Sequence, residues 1–152
     1  MHSYTFIDVV SHLEWSADNS FILIGIAKRS IAFVKSLVDD DWHCKIDEGV
    51  AGLSACRWGP TSSHILTISE FKLRLTVWSL QDKTVQYIKN PKYDSKGLVF
   101  SKNKKLMVLA ERTSEGRDSI GFYDTSKNNW DCLYHFTPDT FDLEDLSLSG
   151  DG

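Results

Sequence analysis

The chain has 152 residues, 41% of them hydrophobic and 12% aromatic, which is enough apolar material for a packed core and excludes a disordered chain. Seventeen Lys and Arg against 21 Asp and Glu leave a formal charge of −4, and the one basic cluster, Lys102, Lys104 and Lys105, is too short to track a phosphate backbone. These numbers exclude a nucleic-acid-binding stripe.

From the N-terminus, no basic start precedes an apolar block, so no secretory leader is expected. The longest apolar run, 21–27, is far shorter than the roughly 20 residues a membrane-spanning helix needs. Strands are expected at about 10–16, 21–27, 30–37 and 42–46, separated by turn residues such as Ser16-Ala17-Asp18-Asn19. The next unit repeats this order, with turn chemistry at 59–63 and strict alternation at Leu73, Leu75 and Val77. A third unit follows from about residue 95, with its turn at 101–104. Pro60, Pro91 and Pro138 fall between strands, where no ladder N–H is lost.

The units are copies of one another. His12-Leu13-Glu14-Trp15-Ser16-Ala17-Asp18 recurs as Ala55-Cys56-Arg57-Trp58-Gly59-Pro60-Thr61, as Leu98-Val99-Phe100-Ser101-Lys102-Asn103, and as Leu146-Ser147-Leu148-Ser149-Gly150-Asp151. The anchors Trp15, Trp58, Phe100 and Leu148 are separated by 43, 42 and 48 residues. A second series, Val34-Lys35-Ser36, Val77-Trp78-Ser79 and Phe122-Tyr123-Asp124, has spacings of 43 and 45. Four short strands per such period point to β-propeller blades rather than an immunoglobulin-like sandwich, which lacks this self-similarity. The reading is all-β, about three and a half blades at 8–47, 50–90, 95–137 and the start of a fourth at 143–152.

No catalytic or metal motif accompanies the strands. Gly52-Leu53-Ser54-Ala55-Cys56 lacks the second glycine of a nucleophile elbow, and no phosphate-cradling loop or His-Glu-x-x-His occurs. His43 and Cys44 are neighbours on a strand and point to opposite faces. Asp39-Asp40-Asp41 reads as a solvated turn. Cys44, Cys56 and Cys132 have no C-x-x-C spacing, which fits a reducing intracellular compartment without a disulfide framework. No enzyme activity, cofactor or metal is expected.

With these residues laid out, the chain resembles the WD-repeat family. Val77-Trp78-Ser79-Leu80 stands where a WD repeat ends its third strand, and Phe122-Tyr123-Asp124 is a weaker copy. Ser36 and Ser79 replace the Asp and Lys35 the Trp, so packing rather than a side-chain network is expected to hold the blades. The segments Trp42-His43-Cys44-Lys45-Ile46-Asp47-Glu48-Gly49, Glu70-Phe71, Leu73-Arg74, Thr76-Val77-Trp78-Ser79-Leu80 and Leu109-Ala110-Glu111-Arg112 are similar to the branch typified by WD repeat-containing protein eight. That resemblance implies a non-enzymatic scaffold of the centrosome and spindle pole, within the cytoplasm and cytoskeleton. It implies a role in anchoring microtubule minus ends and in centriole and cilium assembly. The implied partner is a coiled-coil centrosomal protein resembling the synovial-sarcoma-X-breakpoint-interacting protein, with a kinesin-14 in fungi. The alternative is a generic WD-repeat adaptor, such as a ubiquitin-ligase substrate receptor or an RNA-processing subunit.

In WD propellers the loops joining outer to inner strands, and second to third strands, form the face most used for partners. Glu48, Glu70, Phe71, Arg74 and Arg112 flank those loops here, and Trp42 and Trp130 lie by the outermost strands; these are the candidate binding residues. Trp15, Trp58 and Phe100 are expected to be buried between blades. The chain reads as an internal piece of a longer propeller, with an inner fourth-blade strand at 143–149 and marginal stability on its own.

Overall fold

The computed structural model describes residues 3–6, 8–93, 96–127, 129–139 and 142–149. Among them, twelve strands form three four-stranded antiparallel sheets, each a meander in chain order. The first sheet holds β1 (His12–Trp15), β2 (Phe21–Ile26), β3 (Ile31–Ser36) and β4 (His43–Asp47). The second holds β5 (Ala55–Trp58), β6 (His64–Ile68), β7 (Arg74–Ser79) and β8 (Val85–Lys89). The third holds β9 (Leu98–Phe100), β10 (Leu106–Arg112), β11 (Asp118–Asp124) and β12 (Cys132–Phe136).

The turns explain why the degenerate repeat still folds. Between first and second strands, Ser16 Oγ donates to Asp18 Oδ1 at 2.7 Å and accepts the Phe21 N–H at 3.0 Å. Ser101 does the same in the third sheet, donating to Asn103 at 2.6 Å and accepting from Leu106 N–H at 3.1 Å. Between third and fourth strands, Ser36 Oγ accepts the Val38 and Asp39 N–H groups, Ser79 Oγ that of Asp82, and Asp124 Oδ1 that of Ser126. A serine hydroxyl thus caps the turn that Asp124 caps in the third sheet, so losing the acid costs little.

Alternation along the middle sheet builds two seams. Cys56, Trp58 and Ile65 pack against Leu23, Ala32, Val34 and Ile46 of the first sheet. Leu66, Ile68, Leu75, Val77 and Ile88 point the other way, against Met107, Leu109, Tyr123 and Trp130 of the third sheet. β6 is therefore buried along its whole length.

Two expectations need correction. Trp15 is 55% exposed, because among the described residues no blade packs on the face of β1 that it shares with Leu13; Trp58 is buried and Phe100 mostly buried, as expected. Residues 142–149 form no strand. Each inner strand pairs only with the second strand of its own sheet (β1 with β2, β5 with β6, β9 with β10), and among the described residues 142–149 has no such partner. The Gly150-Asp151 end of the fourth repeat copy and the boundary at Ser95 lie outside the described residues.

Candidate partner-binding face

In a meander, the turns from second to third strand and the crossovers from one sheet to the next leave by the same edge. That edge gathers the turn at 69–73, the crossover at 48–54, the described parts of the next crossover at 90–93 and 96–97, and the segment 142–145 that follows β12. The crossover at 90–92 is fastened to β10 by Lys92 N–H donating to Ala110 O at 2.9 Å and Arg112 N–H donating to Asn90 O at 2.9 Å. This brings Phe71, Lys72, Lys92, Tyr93, Arg112 and Asp142 around one open groove of about 560 Å³.

Phe71 is 90% exposed and its backbone is left-handed, with φ +59. An aromatic side chain in that conformation is a strained arrangement, found preferentially at functional sites. Beside it Gly52 also has positive φ, and a Cβ there would stand 2.6 Å from the Glu70 side chain. Only glycine lets the crossover and the Glu70 carboxylate approach so closely. Arg112 is half-exposed at the rim, 3.9 Å from both Asp118 and Asp142.

Glu48 and Arg74 occupy the floor of this edge instead of its rim. The Glu48 side chain is fully buried; it accepts from the Thr67 hydroxyl and from Arg74 Nη2, the latter at 2.9 Å. Trp78 Nε1 donates to Thr67 Oγ1 at 2.8 Å, and the Arg74 guanidinium lies 4.5 Å from the centre of the Tyr87 ring. A hydrogen-bonded bracket therefore braces the middle sheet, where packing alone was expected. Thr67, a polar residue between Leu66 and Ile68 in the strand interior, was the sequence signal for it.

A second bracket spans the third sheet. Tyr123 Oη donates to Glu111 Oε1 at 2.5 Å, and His135 Nε2 contacts Glu111 Oε2 at 3.0 Å. Burial pushes the Glu111 carboxyl up, against the opposing pull of Tyr123 and His135. Burial and the Glu111 partner push the Tyr123 hydroxyl up too. A third polar cluster seats the segment after β12. The buried Lys92 ammonium contacts Asp118 at 2.9 Å and Asp142 at 2.7 Å, and donates to Leu143 O, which also accepts from Tyr93 Oη at 2.8 Å. Burial alone would push Asp118 up, but the Leu143 N–H, Lys92 and Arg112 outweigh it and hold its carboxyl below the usual range. Glu111, Asp118 and Lys92 escaped the sequence reading, since their partners lie in other strands.

The two tryptophans are placed differently from one another. Trp42 is half-buried, 5.1 Å from the Phe21 ring. Trp130, expected near an exposed outer strand, is only 3% exposed: its left-handed backbone, φ +45, turns the ring into the second seam, 5.2 Å from His64 and 6.2 Å from Phe100. Of the candidate residues, the structure leaves Glu70, Phe71 and Arg112 exposed on one edge, buries Glu48 and Trp130, and holds Arg74 and Trp42 half-buried. Among the described residues no group of three or more His, Cys, Asp or Glu is arranged to hold a metal ion.

Three repeated four-stranded meanders, packed face to face through two apolar seams, define a partial β-propeller. No family model matches the chain. It is 46% identical over 149 residues to the WD repeat-containing protein WRAP73 of Mus musculus, covering 98% of this chain and 32% of that protein. It is 28% identical over 151 residues to the uncharacterized WD repeat-containing protein C32H8.09 of Schizosaccharomyces pombe, covering 97% of this chain and 31% of that one. The chain thus spans about a third of the length of the curated relatives it matches. Among solved structures, a chain of the mitotic checkpoint complex superposes with a TM-score of 0.57 at 15% identity, over 87% of this chain and 40% of that chain. A chain of Kuenenia stuttgartiensis hydrazine synthase gives 0.57 at 13% identity, over 83% and 36%. These two likenesses concern the fold alone. Over almost its whole length the chain is similar to WD repeat-containing proteins.

Proposed function

We propose that the chain serves a non-enzymatic WD-repeat scaffold of the centrosome and spindle pole. There it anchors microtubule minus ends and supports centriole and cilium assembly through a coiled-coil partner, with a kinesin-14 as a further member. The observation that carries a binding role is Phe71, an exposed aromatic held on a left-handed turn with Lys72 and Arg112 beside it. Such a basic-flanked apolar knob suits a coiled coil, whose apolar seam is bordered by charged e and g positions. The centrosomal assignment rests on the segment resemblances, and 46% identity to a mouse WD repeat-containing protein across almost the whole chain supports its WD-repeat part.

The test is co-purification from cells of the tagged chain, with Phe71→Ala and Arg112→Glu compared against Lys102→Glu on a turn at the opposite edge. Recovery of a coiled-coil centrosomal protein should fall about tenfold for the first two and stay unchanged for the third, as expected when aromatic and Arg anchors dominate an interface. Equal effects at all three positions would reject the face. Recovery of ubiquitin-ligase or RNA-processing subunits instead would favour the adaptor reading.

A further inference from the structure

The outer strand of the third sheet carries a feature that partner binding does not use. Tyr134 opposes Phe122 and Cys132 opposes Tyr123, so one extra residue, Leu133, is inserted as a β-bulge. In a regular strand, residues three apart point to opposite faces. The bulge turns Cys132 onto the face of His135, as bulges do where a side chain has to be re-aimed. Cys132 Sγ then lies 3.4 Å from His135 Nδ1, while Nε2 of the same ring lies 3.0 Å from Glu111 Oε2. Glu111 is buried and fixed from its other side by Tyr123 Oη. The opposing residue is Gly121, where a Cβ would stand 2.3 Å from Glu111 Oε2, so the space for the carboxylate depends on that glycine.

We propose that Cys132 is a reactive thiol, held by His135 and Glu111 for thiol–disulfide exchange with a small soluble disulfide. Cys132 is exposed and lines an open groove of about 660 Å³ between β8 and β12, whose charged lining is Lys89, Arg112, Glu111 and Asp131. Partial desolvation by the groove wall, and secondarily the Glu111 carboxylate, push the Cys132 thiol up, so exchange is served by a proton acceptor beside it. His135 supplies it. With Nε2–H donating to Glu111, Nδ1 is free to accept the S–H proton. The sulfur attacks one sulfur of the disulfide, whose S–S bond breaks as the new one forms. The departing thiolate takes the proton from the imidazolium. The products are a mixed disulfide on Cys132 and one equivalent of free thiol, with no other oxidant. Cys56 is a contrasting thiol: it is buried in the first seam, and burial pushes it up to about 12.

The test treats the full chain with glutathione disulfide and follows each cysteine by peptide mass spectrometry. Cys132 should be modified first, and His135→Gln or Glu111→Gln should slow it at least about tenfold, the scale of a lost general base. The chain unfolded in urea gives a reference that needs no variant, and native Cys132 should react faster than the same residue there. An unchanged rate in His135→Gln, or a native rate below the unfolded one, would overturn the proposal.

Discussion

Trp58 and Trp15 stand at the same position of successive inner strands, yet one is 4% exposed and the other 55%. The difference lies in the neighbour. Trp58 reaches the Phe21 ring at 6.2 Å and donates its Nε1–H to Glu14 O at 3.0 Å, both in the preceding sheet. Trp15 has no sheet in front of it among the described residues. A repeat position therefore specifies an anchor, and the adjoining blade decides whether the anchor is buried. This is the nearest-neighbour logic of repeat architectures, in which interface energies add to weak intrinsic ones.

The largest expected effect follows directly. Trp58→Ala should destabilise the chain by about 3–5 kcal/mol in equilibrium urea unfolding, the range for truncating a buried aromatic. Trp15→Ala should change stability by no more than about 0.5 kcal/mol, as for an exposed surface site. Comparable losses at both positions would mean that something covers Trp15, and the contrast would collapse. The same exposure invites pairing with other chains, so light scattering belongs with the unfolding curve.

The next effect compares a bracket with a seam. Glu48→Ala leaves the Thr67 hydroxyl without its acceptor and Arg74 without its ion pair. Because Arg74 is one-third exposed and can be solvated, the loss should stay near about 2 kcal/mol, below the value for a fully buried pair. Loss equal to that of Trp58→Ala would show that polar bracing, not seam packing, dominates the middle sheet.

How much of this could be read from residues alone depends on the range of the interaction involved. Strand positions, the three inner strands and the repeating period are local patterns, and the observed β1, β5 and β9 lie where the Trp15, Trp58 and Phe100 copies put them. The buried state of Glu48 is not local: its hydroxyl partner is 19 residues away on another blade's strand. Trp130 precedes β12 by two residues, and a single left-handed residue sends it into the seam instead of along the strand. The fourth inner strand failed for a related reason, since a strand exists only with a partner strand. Phe71 and Arg112 could be placed on an edge from sequence, but their shared groove depends on the crossover at 90–92.

The smallest expected effect separates the two buried carboxylates of the third sheet by their opposite response to acid. Asp118 is held below its ordinary 3.8: burial opposes its charge, but the Leu143 N–H, Lys92 and Arg112 together outweigh that. The folded state therefore binds fewer protons there than the unfolded chain, so the stability from this carboxylate is present above 3.8 and lost as pH falls through its lowered value. Glu111 is shifted the other way from its ordinary 4.5, chiefly by burial. There the folded state holds the proton more tightly, so its contribution is full below 4.5 and lost as pH rises through the raised value. No single group can impose a slope steeper than about 1.4 kcal/mol per pH unit. Urea unfolding at a series of pH values should show the gap between the wild-type chain and Asp118→Asn widening as pH rises through the acid range. The gap between wild type and Glu111→Gln should move in the opposite sense as pH rises above 4.5. Parallel curves for the two variants would mean that burial and ion pairing do not distinguish these sites, and that the Lys92 cluster seats the 142–145 segment by shape alone.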